Sequence, residues 1–276
     1  MRTTSASFSL FLLLFLSGCT PFGIPALYEK PAAHFENRAI DESSGLVKSR
    51  RLEEVFWTHN DSGDRARIFA VTREGQDLGT VEVRGAQNVD WEDLAIDDAG
   101  FLYLCDIGDN RGRRHDLVIY KIPEVDPRRV QETTVAARFP FHYPDHPPID
   151  AEACFYAGGA FYVMTKERAV NDTTLYRLDL SRPDQDQAAT FVGRTSIESL
   201  VTGADVTPDG TLLAVLSYPF IDLYRKPADN DNYLAGPHRR TWIYFGQAEG
   251  IAWDGADLLI SDEEGNLLRR TGLRRP

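Results

Sequence analysis

The sequence contains little cysteine, only three residues among 276. A zinc site built on several cysteine ligands is therefore excluded. It also lacks a Gly-x-Ser-x-Gly motif, so nothing indicates the serine nucleophile of an α/β-hydrolase. Hydrophobic residues do not recur at helical spacing, and we therefore do not expect an α/β fold.

The chain also has fewer basic than acidic residues. The chain carries 30 lysines and arginines against 42 aspartates and glutamates, a net charge of −12. Such a chain is repelled by nucleic acid and by anionic membrane surfaces. The charge favours cations, cationic partners or simple solubility, and it does not choose among these.

Long apolar runs are absent except near the start. Residues 8–16 are apolar apart from Ser9, which suits a signal peptide and is too short to span a bilayer. The run ends in Leu-Ser-Gly-Cys, which resembles the bacterial lipobox, where the thiol of the cysteine is lipidated. We therefore predict a lipoprotein signal peptide at 1–18, an acylated (palmitate-bearing) Cys19, a tether at 19–32 and one domain at 33–276. Thr20 follows the cysteine instead of aspartate, a pattern typical of lipoproteins sorted to the outer membrane; an ordinary secretory signal is the alternative.

Cys105 and Cys154 are the two remaining cysteines, and both lie inside apolar runs. A lone buried cysteine usually behaves as a small hydrophobic residue, and we expect two unpaired thiols. An oxidising periplasm would also permit a disulfide.

An internal repeat of about 50 residues organises the rest of the chain. Each copy has a hairpin of two short apolar runs joined by an Asp/Gly turn, then a third run and a more variable fourth run. The first runs lie at 44–47, 92–96, 152–156, 204–206 and 249–253, the second at 55–58, 101–104, 161–164, 212–215 and 258–260, the third at 68–71, 119–122, 175–178, 223–225 and 267–269, and the fourth at 80–83, 135–141, 190–192 and 241–245.

Four antiparallel strands repeated radially predict an all-β fold, a five-bladed β-propeller. Six blades and a β-sandwich are the alternatives. The fifth copy lacks a fourth run, and we predict that the segment 34–38 closes the ring as that strand.

Carboxylates recur where the first strand of a copy begins. Glu92, Glu152 and Glu249 align, whereas the fourth copy has Ala204 in that place and its Asp205 aligns with Asp93. Like charges on a narrow axis are costly unless a cation or shared protons neutralise them. The alternative is that each glutamate accepts hydrogen bonds from the backbone of a neighbouring blade.

Three of the loops after the second strand combine Asp or Asn with Gly. Oxygen ligands on a sharply turning chain suit Ca²⁺, although such loops are also ordinary tight turns. The predicted metal ligands are Glu92, Glu152, Glu249, Asp106 and Asp109. The predicted ligand-binding residues are Asn60, Asp61, Asp64, Asp90, Asn110, Arg111, Lys166 and Asp262.

A basic set lies beside these acids in the sequence. It consists of Arg111, Arg113, Arg114, His115, Lys166 and Arg168. Cations around a carboxylate–metal centre would bind an anionic substrate such as a phosphoester. They would equally pair with nearby acids on a wet surface.

The strand starts resemble those of known bacterial propellers. The Asp-Ala-Glu-Ala run at 150–153 and the Ala-Glu-Gly-Ile run at 248–251 are similar to those of SdiA-regulated periplasmic propellers, and they more faintly resemble those of calcium-dependent β-propeller phytases and esterase-like phytase relatives. In the phytases such residues help to hold catalytic calcium, which implies that role for Glu92, Glu152 and Glu249. Those phytases have six blades, whereas this chain shows five copies.

We expect a monomeric periplasmic lipoprotein, held to the membrane only by its lipid, whose propeller binds a ligand or an envelope protein at an acidic, Ca²⁺-binding face. A metal-dependent hydrolase of a phosphoester or a similar anion is the second hypothesis. A purely structural interaction protein is the third.

Overall fold

A computed structural model describes residues 28–144 and 148–273. The predicted signal peptide and Cys19 lie outside these residues. Within them the chain is all β, with a single 3₁₀ turn at Tyr233–Ala235 and no α-helix. No helix in the described part is long and apolar enough to cross a membrane.

The strands form five sheets, one for each repeat. The first strand, β1 (Ala33–His34), belongs to the last sheet. Blade one contains β2 (Ser43–Lys48), β3 (Phe56–Asn60), β4 (Arg67–Val71) and β5 (Asp77–Arg84). Blade two contains β6 (Trp91–Ile96), β7 (Phe101–Asp106), β8 (Val118–Pro123) and β10 (Ala137–His142), and β9 (Glu132–Thr134) pairs in parallel with β5 at the edge of blade one.

The remaining blades follow the same plan. Blade three contains β11 (Ala151–Ala157), β12 (Ala160–Thr165), β13 (Asp172–Leu178) and β15 (Thr190–Ser196), while β14 (Gln187–Ala188) pairs in parallel with β10 of blade two. Blade four contains β16 (Val201–Val206), β17 (Leu212–Ser217), β18 (Phe220–Arg225) and β19 (His238–Trp242). Blade five contains β20 (Ala248–Asp254), β21 (Asp257–Asp262) and β22 (Asn266–Arg270).

The first strands of the five blades pack beside one another around the axis, in the order β2, β6, β11, β16, β20 and back to β2. This ring confirms the five-bladed propeller. Inner strands are buried on both faces, and second strands such as β7, β12 and β17 are nearly continuous apolar runs, whereas the outer strand β5 buries only Val81 and Val83.

Five apolar clusters fill the spaces between neighbouring blades, one cluster to each interface. Trp57 and Trp91, for example, are fully buried between blades one and two. Burial of apolar surface thus holds each blade to the next, at about 25 cal/mol per Å².

Cys105 on β7 and Cys154 on β11 form a disulfide between blades two and three. Our expectation of two unpaired thiols was wrong. Both residues are fully buried in the apolar cluster between these blades, where β7 and β11 lie close together. The apolar setting that suggested isolated cysteines is the interface that brings them into contact.

The N-terminal segment runs along blade five. β1 pairs antiparallel with β22 over two residues, Ala33 with Leu267 and His34 with Asn266. The amide of Ala32 donates to the carbonyl of Leu267 at 2.7 Å. The paired part is much shorter than a full outer strand, and closure of the ring by this segment stays a prediction.

Candidate metal-binding pocket

A β-bulge interrupts the start of every inner strand. In each blade one residue of the inner strand has no partner on the second strand, so its side chain leaves the regular alternation. These bulge positions are Ser44, Glu92, Glu152, Thr202 and Glu249.

Two further positions in each blade are fixed by one repeated hydrogen bond. Just after the second strand, a backbone N–H donates to the carbonyl of the residue two places before the bulge, at 2.9–3.3 Å. The accepting residues, which we call entry positions, are Glu42, Asp90, Asp150, Leu200 and Gln247. The donating residues, which we call exit positions, are Asp61, Gly108, Lys166, Tyr218 and Glu263.

This register corrects the alignment of blade four. Thr202, not Ala204, is equivalent to Glu92, and Asp205 is equivalent to Ala95. The hydroxyl of Thr202 donates to the carbonyl of Ala248 at 2.7 Å, so blade four contributes a link to blade five at the bulge instead of a carboxylate.

The three sets of positions surround a pocket of about 470 Å³. Eleven of its thirteen lining residues come from these positions, and the other two are Asn110 and Arg168. Because entry, bulge and exit residues lie outside the apolar clusters between blades, their chemistry can differ from blade to blade without changing the packing.

Two groups of carboxylates meet in this pocket, and Glu92 belongs to both. Asp61, Asp90 and Glu92 offer oxygens within 4.8 Å of one another, and so do Glu92, Asp150 and Glu152. Two oxygens that bind one Ca²⁺ at about 2.4 Å can be no more than about 4.8 Å apart. Each group could therefore hold a metal ion.

Glu92 and Asp90 hold their protons more tightly than usual. Burial, followed by repulsion from Glu152, Asp61, Asp90 and Asp150, raises the pKa of Glu92 well above its ordinary value. Burial and the negative charge of Asp61 raise the pKa of Asp90 to about 6. Without a cation, the pocket therefore carries shared protons at neutral pH.

Gly108 makes room for the two acid groups. It occupies the exit position of blade two, where the other blades carry a side chain. A Cβ atom there would collide with the carboxylate of Glu92 and would lie 2.6 Å from Oδ2 of Asp90. The absence of a side chain thus lets these two carboxylates stand together.

Among the described residues, cations pair directly with the second group, whereas the first is opposed only by the more distant charge of Arg114, which lowers the pKa of Asp90. Nζ of Lys166 lies 2.8 Å from Oε1 of Glu152, and Arg168 lies 3.4 Å from Asp150. Burial raises the pKa of Glu152 to about 7, although Lys166 opposes the shift. The group of Asp61, Asp90 and Glu92 is therefore the one that a metal ion would neutralise most favourably.

Glu249 lines the same pocket but stands outside both acid groups. Its carboxylate accepts a hydrogen bond from the hydroxyl of Tyr218. Burial raises its pKa to about 8, and this tyrosine counteracts the shift. All three predicted glutamates therefore line one pocket, but only Glu92 and Glu152 belong to the closely spaced acid groups.

Two aspartates, instead of the glutamates, accept backbone hydrogen bonds from neighbouring blades. Asp93 is buried at the centre of the ring and accepts hydrogen bonds from the amides of Cys154 at 2.9 Å and Ala204 at 3.3 Å, in the next two blades. Asp205 accepts from the amide of Trp253 at 2.7 Å. These acids are structural.

Four of the predicted site residues serve local structure instead of the pocket. Asp106 is buried and pairs with Arg114 at 2.8 Å. Asp109 accepts hydrogen bonds from the amides of Arg113 and Arg114, both at 2.9 Å. Asn60 and Asp64 bond each other at 3.0 Å, and Asp64 also pairs with Arg67 at 2.7 Å. The acid-and-glycine pattern here marks tight turns.

Two more predicted residues lie away from the pocket. Asp262 is fully buried and accepts hydrogen bonds from the amide and side chain of Asn266, both at 2.8 Å. Arg111 is exposed and does not line the pocket. By contrast, Asn110 does line it and accepts a hydrogen bond from Arg168 at 2.5 Å.

Sequence reasoning missed Asp150 as a site residue, together with the pocket residues Glu42, Glu263 and Tyr218. A signal for Asp150 was present, because Asp-x-Glu occurs at 90–92 and again at 150–152. Glu42 and Glu263 occupy the entry and exit positions of blades one and five, which become recognisable only when the register is known.

Comparison with known proteins shows the fold alone. No protein-family model and no curated protein matches the sequence. Among solved structures, a PQQ-bound aldose sugar dehydrogenase from Streptomyces coelicolor aligns with a TM-score of 0.50 at 10% identity, over 87% of this chain and 96% of that chain. The hydrazine synthase of Kuenenia stuttgartiensis aligns with a TM-score of 0.42 at 12% identity, over 80% of this chain and 61% of that chain, and we draw nothing from it.

Proposed function

We propose that this chain is an exported, lipid-anchored propeller that binds Ca²⁺ in its acidic pocket and uses the bound ion to bind a ligand or an envelope partner. The observation that carries the proposal is the position of Glu92, whose carboxylate lies within one ion's reach of both Asp61 and Asp90. A Ca²⁺ ion held by these three groups would replace protons that Asp90 and Glu92 otherwise hold more tightly than usual.

The pocket has room beside such an ion. Ca²⁺ takes six to eight oxygens, so three carboxylates leave coordination positions for water or for oxygens of a ligand. Lys166 and Arg168 lie across Glu92 from the proposed site, next to Glu152 and Asp150. A ligand that contacts both the ion and these cations would carry a carboxylate or a phosphate.

Export is supported by two separate features. The lipobox-like run precedes Cys19, and the disulfide between blades two and three suits an oxidising compartment such as the periplasm. The resemblance to SdiA-regulated and phytase propellers rests on the short acidic strand starts and is in keeping with calcium at Glu92.

The first expected result concerns calcium and pH. The pKa values of Asp90 and Glu152, about 6 and about 7, and the raised pKa of Glu92 mean that lowering the pH from 8 to 6 adds protons that Ca²⁺ must displace. We expect the affinity for Ca²⁺ to fall by about 10- to 100-fold over this range, with protons released on binding. Calorimetric titrations in two buffers of different ionisation enthalpy measure both quantities. If the protein binds no Ca²⁺ at pH 8, the proposal is wrong, and a purely structural interaction protein is the hypothesis that remains.

The second expected result concerns the anchor. In cells that process lipoproteins, the chain should fractionate with the outer membrane, and Cys19→Ser should move it to the soluble periplasmic fraction because the thiol is the site of acylation. Ser62→Ala serves as the matched control, since Ser62 is an exposed residue of the propeller outside the lipobox. Equal distribution of the wild-type chain and Cys19→Ser would contradict anchoring.

A Ca²⁺-dependent hydrolase of a phosphoester is the second candidate, favoured by the cations next to the acid groups. Binding is the function we prefer, since it needs only the ion and its open coordination positions. A phosphatase and esterase screen with and without chelator separates the two.

A further inference from the structure

An exposed aromatic patch lies on the outer side of blade four. It consists of Phe220, Trp242 and Tyr244. The rings of Trp242 and Tyr244 stack at 5.7 Å with an angle of 6° between them, and Trp242 also packs on Phe220 at 4.4 Å. Trp242 is 55% exposed and Tyr244 is 36% exposed, so the patch presents two large amphipathic rings to the surroundings.

Trp242 differs from the other tryptophans of the chain. Trp57, Trp91 and Trp253 are at most 3% exposed. Trp and Tyr are enriched where one end of a ring is apolar and the other is wet, as at a membrane–water interface. Two such rings, stacked and unburied, are suited to a lipid surface.

The N-terminal segment is fixed next to this patch. The amide of Glu29 donates to the carbonyl of Tyr244 at 2.8 Å, and the carboxylate of Glu29 pairs with Arg270 at 2.5 Å. Arg270 also donates to the carbonyl of Trp242 at 2.7 Å. Tyr28, which precedes this junction, is 51% exposed and adds a third exposed ring.

The length of the remaining chain determines how far the patch can be from the lipid. Nine residue steps separate Cys19 from Tyr28, and an extended chain spans at most about 3.6 Å per residue. The lipidated residue therefore lies within about 32 Å of the patch. Residues 29–32, which we placed in the tether, are bonded to the propeller and give no additional reach.

We propose that Tyr28, Trp242 and Tyr244 insert at the level of the lipid headgroups and so fix the orientation of the propeller on the membrane that carries its anchor. This inference rests on the proposed lipidation of Cys19. Acyl chains supply the attachment, and the rings, held at the base of a short tether, supply a second contact at high local concentration.

Tryptophan fluorescence tests the inference directly, because Trp242 is the exposed member of a set of four. The full lipidated chain is reconstituted into vesicles of phosphatidylcholine and phosphatidylethanolamine whose acyl chains carry bromine either near the headgroup or near the chain end. We expect quenching of the emission, stronger with the shallow bromine. Tyr28→Ser combined with Tyr244→Ser should reduce this quenching while keeping the probe.

The matched control is Phe191→Ser, which removes a ring that is 58% exposed on blade three and leaves the patch intact. Its quenching should equal that of the wild-type chain. Absence of quenching in a chain that floats with the vesicles overturns this inference while the anchor stands. A chain that stays in solution instead overturns the anchoring itself. Loss of self-association in Trp242→Ala, without quenching in the wild-type chain, would assign the patch to contact between copies and would also overturn the inference.

Discussion

Replacing Glu92 with glutamine should weaken Ca²⁺ binding by about 100-fold or more. The carboxylate of Glu92 belongs to both acid groups, so either site loses a charged ligand. Groups that merely orient metal ligands already cost about 10- to 100-fold when changed. Calorimetric titration at pH 8, where fewer protons compete with the ion than at pH 6, measures the loss.

A graded set of variants locates the ion. If it lies among Asp61, Asp90 and Glu92, Glu152→Gln should weaken binding less than Glu92→Gln, and Glu249→Gln should leave it nearly unchanged because Glu249 lies outside both groups. Equal losses in all three would instead place the ion at the original convergence of three glutamates. Unchanged binding in Glu92→Gln would rule out both acid groups.

Glu92→Gln, which should weaken Ca²⁺ binding, should make the folded protein more stable when Ca²⁺ is removed. Burial and the neighbouring acids raise the pKa of Glu92 above its ordinary value of 4.5. The folded protein therefore binds more protons than the unfolded chain, and the free energy of unfolding falls as the pH rises above 4.5. In chelator at pH 8, Glu92→Gln should unfold at a higher temperature than the wild-type chain, and the difference should disappear below about pH 4.5.

Reducing the disulfide should lower the free energy of unfolding by about 4 kcal/mol. Cys105 and Cys154 are separated by 49 residues, and a cross-link of that span removes about this much loop-closure free energy from the unfolded chain. For a domain of this size the unfolding temperature should fall by about 8–16 °C. Thermal unfolding with and without a reductant measures the shift.

The double variant Cys105→Ala with Cys154→Ala provides the control, because reductant should not change its unfolding temperature. It should also reproduce most of the loss seen in the reduced wild-type chain. A reduced protein that unfolds within about 2 °C of the oxidised one would mean that the apolar cluster between blades two and three carries the stability of this interface unaided.

The repeat and the all-β class could be predicted from the sequence, because inner strands buried on both faces leave continuous apolar runs between Asp/Gly turns. The bulges could not. Nor could the register of blade four. Similarity of residues paired Ala204 and Asp205 with Glu92 and Asp93, whereas the hydrogen-bond register pairs Thr202, two residues earlier, with Glu92.

The sequence also did not distinguish acidic residues with a structural role from acidic residues that line the pocket. Asp106 and Asp262 follow apolar runs just as a ligand would, but both end the second strand and are buried in bonds to Arg114 and Asn266. The pocket residue comes directly after the strand in four of the blades, and in blade two the insertion of Ile107 moves that position to Gly108. Such a one-residue difference has no signature in composition or charge.

The repeated backbone hydrogen bond between entry and exit positions allows the pocket of such a molecule to diversify. The blades contribute eleven residues to the pocket at these positions, and the backbone hydrogen bond that fixes the entry and exit residues does not depend on what their side chains are. Point mutations could exchange a carboxylate for an ammonium or a hydroxyl, one blade at a time, without disturbing the apolar clusters between blades. A homologue with the same apolar clusters could therefore recognise a chemically opposite molecule.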